Sequence, residues 1–237
     1  MELIGCHDLT DYYTLLTSDA AEPEFSELLN LLTTTETYFF RNRQQLQSFE
    51  EEVVPAFLKK KQAAGVAHLH LWSAGCSSGE EPYTLAMMLL ETIPEIQRWK
   101  IAIVGTDINT QVLARAKEGV YTARSLRETP HKYKTKYFTR EHEKYRICDQ
   151  VKQMVSFRTG NLLDEHETSL LQNLDCIFCR NVLIYFDLES SKAVVNKFYE
   201  RLTRNGYLFL GHSESLYRIT NIFKLVRLQH SLVYYKE

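Results

Sequence analysis

Apolar residues along this chain gather into short runs separated by polar, helix-like stretches, and the alternation predicts its elements. The run beginning at Leu69 reads as a buried strand that breaks at Ala74-Gly75, passes Gly79, and gives way at Glu80-Glu81-Pro82 to an apolar-rich helix reaching Glu91. Proline suits the first turn of a helix, where its missing N–H would have no partner. A second strand spans Lys100–Thr106 and closes on Asp107-Ile108-Asn109, ahead of a helix over 110–117. Met154–Thr159 and Leu174–Cys179 read as strands three and four, and 188–202 as a helix turned by Asn205-Gly206. Tyr207–Leu210 is strand five, and runs near 223–228 and 231–235 predict a terminal antiparallel hairpin. Strand, loop and helix in this order predict a doubly wound α/β fold, with ligands outside the carboxyl ends of the strands.

The flanking segments differ. Residues 1–35 hold seven acidic residues and no lysine or arginine, with Leu28, Leu29, Leu31 and Leu32 predicting a short helix packed on the main domain. Thr33 to Arg41 mixes hydroxyls, aromatics and one charge, and its β-branched threonines predict a loop leading into a helix. Arg41 reads either as a surface charge or as a fork for a carboxylate. Residues 46–64 predict an amphipathic helix whose Lys59-Lys60-Lys61 end reads as a solvated face. Residues 115–146 carry ten basic residues against four glutamates, with interleaved tyrosines, and interrupt the β/α alternation as a small inserted subdomain. Because this patch is local on a chain of net charge -2, docking of a protein partner fits it better than nucleic acid.

Composition adds bounds. With 44% hydrophobic and 24% charged residues, 237 residues suit one α/β domain with a small appendage. No apolar run is long enough for a membrane span, and Met1–Thr10 lacks the pattern of a secretory signal. Five cysteines without framework spacing suit a reducing cytoplasm, and Cys176-Ile-Phe-Cys179 reads as core rather than metal site. No metal is expected.

The glycine loop carries the chemistry. A phosphate loop offers backbone N–H groups and a positive helix end to an anion, but here Glu80 and Glu81 stand at that end, and the glycines do not fit G-x-G-x-x-G. A ligand with a cationic part and hydroxyls but no phosphate fits better, and S-adenosylmethionine is one. Asp107, ending the second strand, stands where such folds grip ribose hydroxyls; it could cap the following helix as well. Gly75-Cys76-Ser77-Ser78-Gly79 also matches the nucleophile elbow of α/β-hydrolases, with Asp175 or Asp187 and His212 or His230 in the right chain order. Against that reading, little chain precedes the strand to supply an oxyanion loop.

Six segments together resemble the CheR-type chemotaxis receptor methyltransferases: TTTETYFFR, LWSAGCSSGEEPYTLAM, GTDINTQVLARAKEGVY, GNLL, DCIFCRNVLIYFD and GYLFLGHSESL, in order over roughly 28–237. The resemblance implies a Rossmann-like class I methyltransferase sheet with helices on both faces. It divides the chain into a short N-terminal helical segment and linker (1–64) and a methyltransferase domain (65–237) with an inserted β-subdomain at about 118–153. It implies S-adenosylmethionine as cofactor, S-adenosylhomocysteine as product, and esterification of glutamates on a chemoreceptor or related signalling protein. Cofactor contacts are implied for Thr35, Thr37, Arg41, Gly75, Glu81, Asp107, Asn161, Leu162, Arg180 and Asn181, with Arg41, Arg180 and Tyr185 on the methyl-transfer side. The alternatives are a cofactor-binding signalling module without turnover, a methyltransferase acting on RNA or a small molecule, and the Ser77 hydrolase. Two features depart from the family pattern: the N-terminal segment is short and acidic, and the subdomain turn reads Thr139-Arg140-Glu141-His142-Glu143 instead of glycine-rich.

Overall fold

The computed structural model describes residues 7–18, 22–33, 35–165 and 169–237; Thr34 and parts of the acidic segment, Glu2 and Asp19 included, lie outside them. Helices α1 (Leu9–Leu16) and α2 (Glu22–Leu32) come first, followed by α3 (Arg43–Ser48) and α4 (Val54–Ala63). The α/β unit then runs β1 (His68–Ala74), α5 (Glu80–Thr92), β2 (Lys100–Asp107) and α6 (Thr110–Glu118). β3 (Val120–Thr122), α7 (His131–Tyr137), β4 (Phe138–Glu141) and β5 (Lys144–Ile147) interrupt it. It resumes with α8 (Asp149–Lys152), β6 (Val155–Thr159), β7 (Leu174–Cys179), α9 (Leu188–Arg201) and β8 (Leu202–Leu210), and closes with β9 (Lys224–Arg227) and β10 (Leu232–Tyr235).

Seven strands form the main sheet in the order β6-β2-β1-β7-β8-β10-β9, parallel from β6 to β8 and antiparallel over the last two. Parallel strands are buried on both faces, and the alternation of side chains shows how. Leu69 and Leu71 of β1, Cys176 and Phe178 of β7, and Phe209 of β8 pack with α4 and α5. Their neighbours Trp72, Ala74, Ile177, Cys179, Leu208 and Leu210 pack with Val194, Val195 and Phe198 of α9 on the opposite face. Phe178 stacks flat on Phe209 at 4.5 Å, and Trp72 meets Phe198 edge-on at 5.1 Å. This is the doubly wound α/β architecture that the alternation of elements predicts, with helices on both faces. The small sheet β3-β5-β4 is wholly antiparallel.

Four local expectations change. The helix placed over 46–64 begins at Arg43 and contains a widened π turn at Phe49–Val53. Pro55 lies just beyond that turn and supplies no N–H to an ordinary helical ladder, which the widened turn accommodates. Lys61 is not part of a solvated face: its Nζ lies 2.8 Å from the buried carboxylate of Asp175, which also accepts the His70 N–H. Asn205-Gly206 makes no turn between elements. It falls inside β8, where Asn205 adopts φ 68° and the register against β7 shifts between Leu174 and Cys176, so the pair forms a bulge. The cap of α6 is Asn109, whose side chain accepts the Val112 N–H, rather than Asp107.

Candidate cofactor and methyl-transfer cavity

A cavity of about 530 Å3 opens at the carboxyl ends of β1, β2 and β7. Thr35, Thr37, Arg41, Gly75, Glu81, Asp107, Asn161, Leu162, Arg180, Asn181 and Tyr185, spread over 150 positions of chain, all line it. Ser77, Ile108, Tyr38, Phe40, Ile184 and Phe186 complete much of the wall.

The floor is the loop between β1 and α5. Gly75 adopts φ +72°, and a Cβ there would lie 2.4 Å from Val182 Cγ2, so the two strand-end loops approach in a way only glycine permits. Of the paired carboxylates at the helix start, only Glu81 lines the cavity. Glu80 is buried elsewhere, accepting from the Ser78 hydroxyl, and burial pushes its carboxyl up. Glu81 accepts from Ser73 Oγ at 2.7 Å and from Arg180 Nη1 at 3.1 Å. Arg180 is buried, and its other terminal nitrogen donates to the Arg41 carbonyl. Its Nε finds no hydrogen-bond partner among the described residues. Burial lowers the Arg180 pKa, and the neighbouring Glu81 carboxylate works against that shift.

Asp107 occupies the second wall. Its two oxygens accept the Ser77 N–H at 2.8 Å and the Asn109 N–H at 2.9 Å. An ionised carboxylate has about four acceptor sites, so capacity for hydroxyl groups remains. Burial raises the carboxyl pKa, and the N–H groups of Asn109, Ser77 and Ile108 pull against it. The neighbouring Cys76 thiol is pushed well up, by burial first and then by Asp107 and Glu81, so it stays protonated.

A strap over residues 35–41 closes the third side. Thr35 O accepts from Ser77 Oγ, Phe39 N donates to Ser125 O, and Phe40 N donates to Thr84 Oγ1. Arg41 Nη1 turns back to Glu36 O at 3.0 Å, so Arg41 is not a free surface charge, and among the described residues it is not paired with a carboxylate. Phe40 and Asn42 both adopt φ 60°, Ser77 φ 48° and Asn181 φ 62°, four of the eight non-glycine residues at positive φ among the described residues. Strained backbone of this kind gathers at functional sites, and it marks this cavity. At its mouth Tyr185 stands 62% exposed on the short 3-10 turn Leu183–Tyr185.

Of the hydrolase candidates, Ser77, both aspartates and His230 are engaged elsewhere. Ser77 Oγ donates to Thr35 O, Asp175 is committed to Lys61 and His70, Asp187 caps α9, and His230 faces Glu51 at 3.0 Å. Cys176 and Cys179 are buried and unpaired, with burial pushing both thiols well up, as core cysteines require.

Sequence reasoning passed over Tyr38, whose ring lies 3.7 Å beneath the Arg127 guanidinium, and Glu214, which binds the backbone of the Asn181 loop. The available signal for Glu214 was an acidic residue in the Gly-His-Ser-Glu run directly after the fifth strand.

A family model described as CheR methyltransferase, SAM binding domain, matches residues 35–232. The chain belongs to this family. It is 40% identical to chemotaxis protein methyltransferase 2 of Vibrio cholerae, over all of this chain and 81% of that protein. Against the chemotaxis protein methyltransferase of Borreliella burgdorferi it is 35% identical, covering 91% of this chain and 77% of that one. Among solved structures, magnesium protoporphyrin IX methyltransferase of Synechocystis with bound S-adenosylmethionine is similar at TM-score 0.40 and 15% identity, over 98% of this chain and 99% of that one. As a member of the CheR family this chain is an S-adenosylmethionine-dependent methyltransferase, and the Ser77 hydrolase is not favoured. Among its described residues no helix is long and apolar enough to cross a membrane.

Proposed function

We propose that this CheR-family protein esterifies glutamate side chains of a chemoreceptor or a related signalling protein, working in the cytoplasm, where unpaired Cys76, Cys148, Cys176 and Cys179 persist. The observation that carries the reading is the convergence of Glu81, Asp107 and Arg180 on one cavity whose mouth holds Tyr185. When bound, S-adenosylmethionine supplies an electrophilic methyl group on a sulfonium. The residues present suit it: Glu81 would hold the cationic methionine end, Asp107 the ribose hydroxyls, and Asn161 and Leu162 the adenine. Thr35, Thr37, Arg41 and Asn181 would complete the grip, and Gly75 lets the loop after β1 close tightly against Val182 beside it.

The acceptor needs little activation. A glutamate side chain has a reference pKa of about 4.3, so it arrives ionised and needs no strong general base. What the protein supplies is positioning. Arg180 is fixed between Glu81 and the Arg41 carbonyl, and Arg41 can leave Glu36 O to meet an incoming carboxylate. Tyr185 offers the acceptor a hydroxyl donor at the mouth.

Two measurements test this in sequence. Calorimetric titration with S-adenosylmethionine and S-adenosylhomocysteine should give saturable binding of both. Incubation with radiolabelled cofactor and the signalling fragment of a chemoreceptor should leave alkali-labile label on glutamates. Cofactor binding without label on any receptor fragment would overturn the acceptor assignment.

A further inference from the structure

We propose that Glu214 is a positioning residue for methyl transfer, an internal anion that sets the backbone carrying Asn181 and Tyr185. The inference rests on the methyl-transfer reading above.

β7 and β8 lie side by side and end together, β7 at Cys179 and β8 at Leu210. The chain leaving β7 carries Arg180, Asn181 and Tyr185; the chain leaving β8 makes a turn closed by Glu214 N donating to Gly211 O at 3.0 Å. From that turn the Glu214 carboxylate reaches across to the other loop. Its Oε2 accepts the Asn181 N–H at 2.8 Å, and its Oε1 accepts those of Val182 at 2.9 Å and Leu183 at 2.8 Å. Oε2 accepts the Gly211 N–H as well. Four backbone donors on one carboxylate nearly exhaust its acceptor capacity.

The geometry on the Asn181 side is that of an anion-binding nest. Asn181 is left-handed at φ 62°, Val182 is right-handed helical, and three successive N–H groups converge. Such concavities ordinarily take an external anion; here a side chain of the protein fills it. Without that carboxylate, three N–H groups would be orphaned beside the cavity, and no other described hydrogen bond holds the Asn181 N–H in its left-handed turn. The next bond along the chain transmits the restraint: Tyr185 N donates to Val182 O at 3.1 Å, forming the turn that presents the tyrosine.

Two further features show a built clamp. Gly211 has no room for a side chain, because a Cβ would lie 2.6 Å from Glu214 Oε2 and 2.9 Å from Asn181 N. The turn itself is pinned from the far side, where buried Leu216 gives its N–H to the Tyr234 hydroxyl of β10 at 2.9 Å. Glu214 therefore welds two adjacent strand ends while touching no reacting atom.

The test is Glu214→Gln, of equal size, which presents an amide NH2 to some of the same donors, alongside Tyr185→Phe and the double variant. Amide exchange at Asn181, Val182 and Leu183 should quicken about tenfold or more, while the strands of the main sheet keep their protection. The turnover number should fall about tenfold to a hundredfold, as for a misplaced reacting group, a larger change than that in the KM for S-adenosylmethionine, which Asn181 shares with many other contacts. The losses from Glu214→Gln and Tyr185→Phe should not add, because one acts through the other. Unchanged exchange, unchanged turnover, or fully additive losses would each overturn the inference. Were Glu214→Gln to fold poorly, Glu214→Asp keeps the charge one methylene short and is read by the same measurements. Absent turnover in the parent would count against the proposed function instead, and the exchange readout, which needs no acceptor, would still decide the clamp.

Discussion

Arg180 and Glu81 meet at 3.1 Å from opposite sides of the crevice, one at the end of β7 and the other in the first turn of α5. The side chain of Arg180 is 4% exposed and that of Glu81 16%, so a nearly dry cation faces a carboxylate that can still be wetted from the cavity. Removing one member of a buried pair leaves the other charge uncompensated. Arg180→Met should therefore cost about 3 kcal/mol, the low end for such a break, because Glu81 can recruit water. Urea unfolding measures it, and a cost near that of an exposed pair, under about 1 kcal/mol, would mean the wall is wetter than its burial indicates.

Asp107 gives a pH dependence of definite sign. Burial lifts its pKa above the ordinary 3.8, so the folded protein takes up this proton before the unfolded chain does. Asp107 therefore costs the fold stability as pH rises from 3.8 through the raised value, and costs nothing below 3.8. Binding runs the other way: the ionised form accepts hydroxyls, so affinity for S-adenosylmethionine should fall on acidification through the raised pKa, at a higher pH than an ordinary aspartate would give. Calorimetry across that range should show the fall in the parent and a flatter, weaker profile in Asp107→Asn. Parallel profiles would remove Asp107 from the ribose role.

Gly75 can be probed by a single methyl group. Gly75→Ala forces an L-residue into a left-handed conformation, costing roughly 1–2 kcal/mol, and drives its Cβ into Val182. Overpacking of that kind adds about 1–3 kcal/mol. Thermal unfolding should show the loss, and Val182→Ala in the same chain should recover the packing share but not the backbone share.

Lys61 illustrates what a linear pattern conveys and what it omits. Within Lys59-Lys60-Lys61 nothing distinguishes the third lysine, yet it reaches the buried carboxylate of Asp175 on β7. Lys61→Met should cost about 3–5 kcal/mol by stranding Asp175, whereas Lys59→Met should be near neutral. Equal effects in urea unfolding would contradict this assignment.

The same contrast runs through the molecule. The strands were legible because two-sided burial demands continuous apolar runs, and the glycine loop because its backbone tolerates no other residue at Gly75. The residues now lining the cavity were legible through a resemblance of motifs, since Thr35, Asn161 and Arg180 are too far apart in sequence to suggest one wall. Glu214, Lys61 and the β8 bulge were not legible, because each is defined by a partner that only the folded chain brings near. Asn205-Gly206 has turn chemistry in isolation; the neighbouring strand turns it into a bulge.

The sheet order has a thermodynamic consequence for binding. Trp72 of the middle strand is paired with Val104 on one side and Ile177 on the other, so the first strand finds one neighbour far closer along the chain than the other. The cavity is lined by the chain leaving β1, β2 and β7 together, so it comes into being only when these strands have paired. Occupancy and global folding are then one equilibrium, and a ligand at a hundred times its dissociation constant adds about 2.7 kcal/mol to the stability of the entire chain. The melting temperature of this protein is in effect a gauge of how full its cavity is.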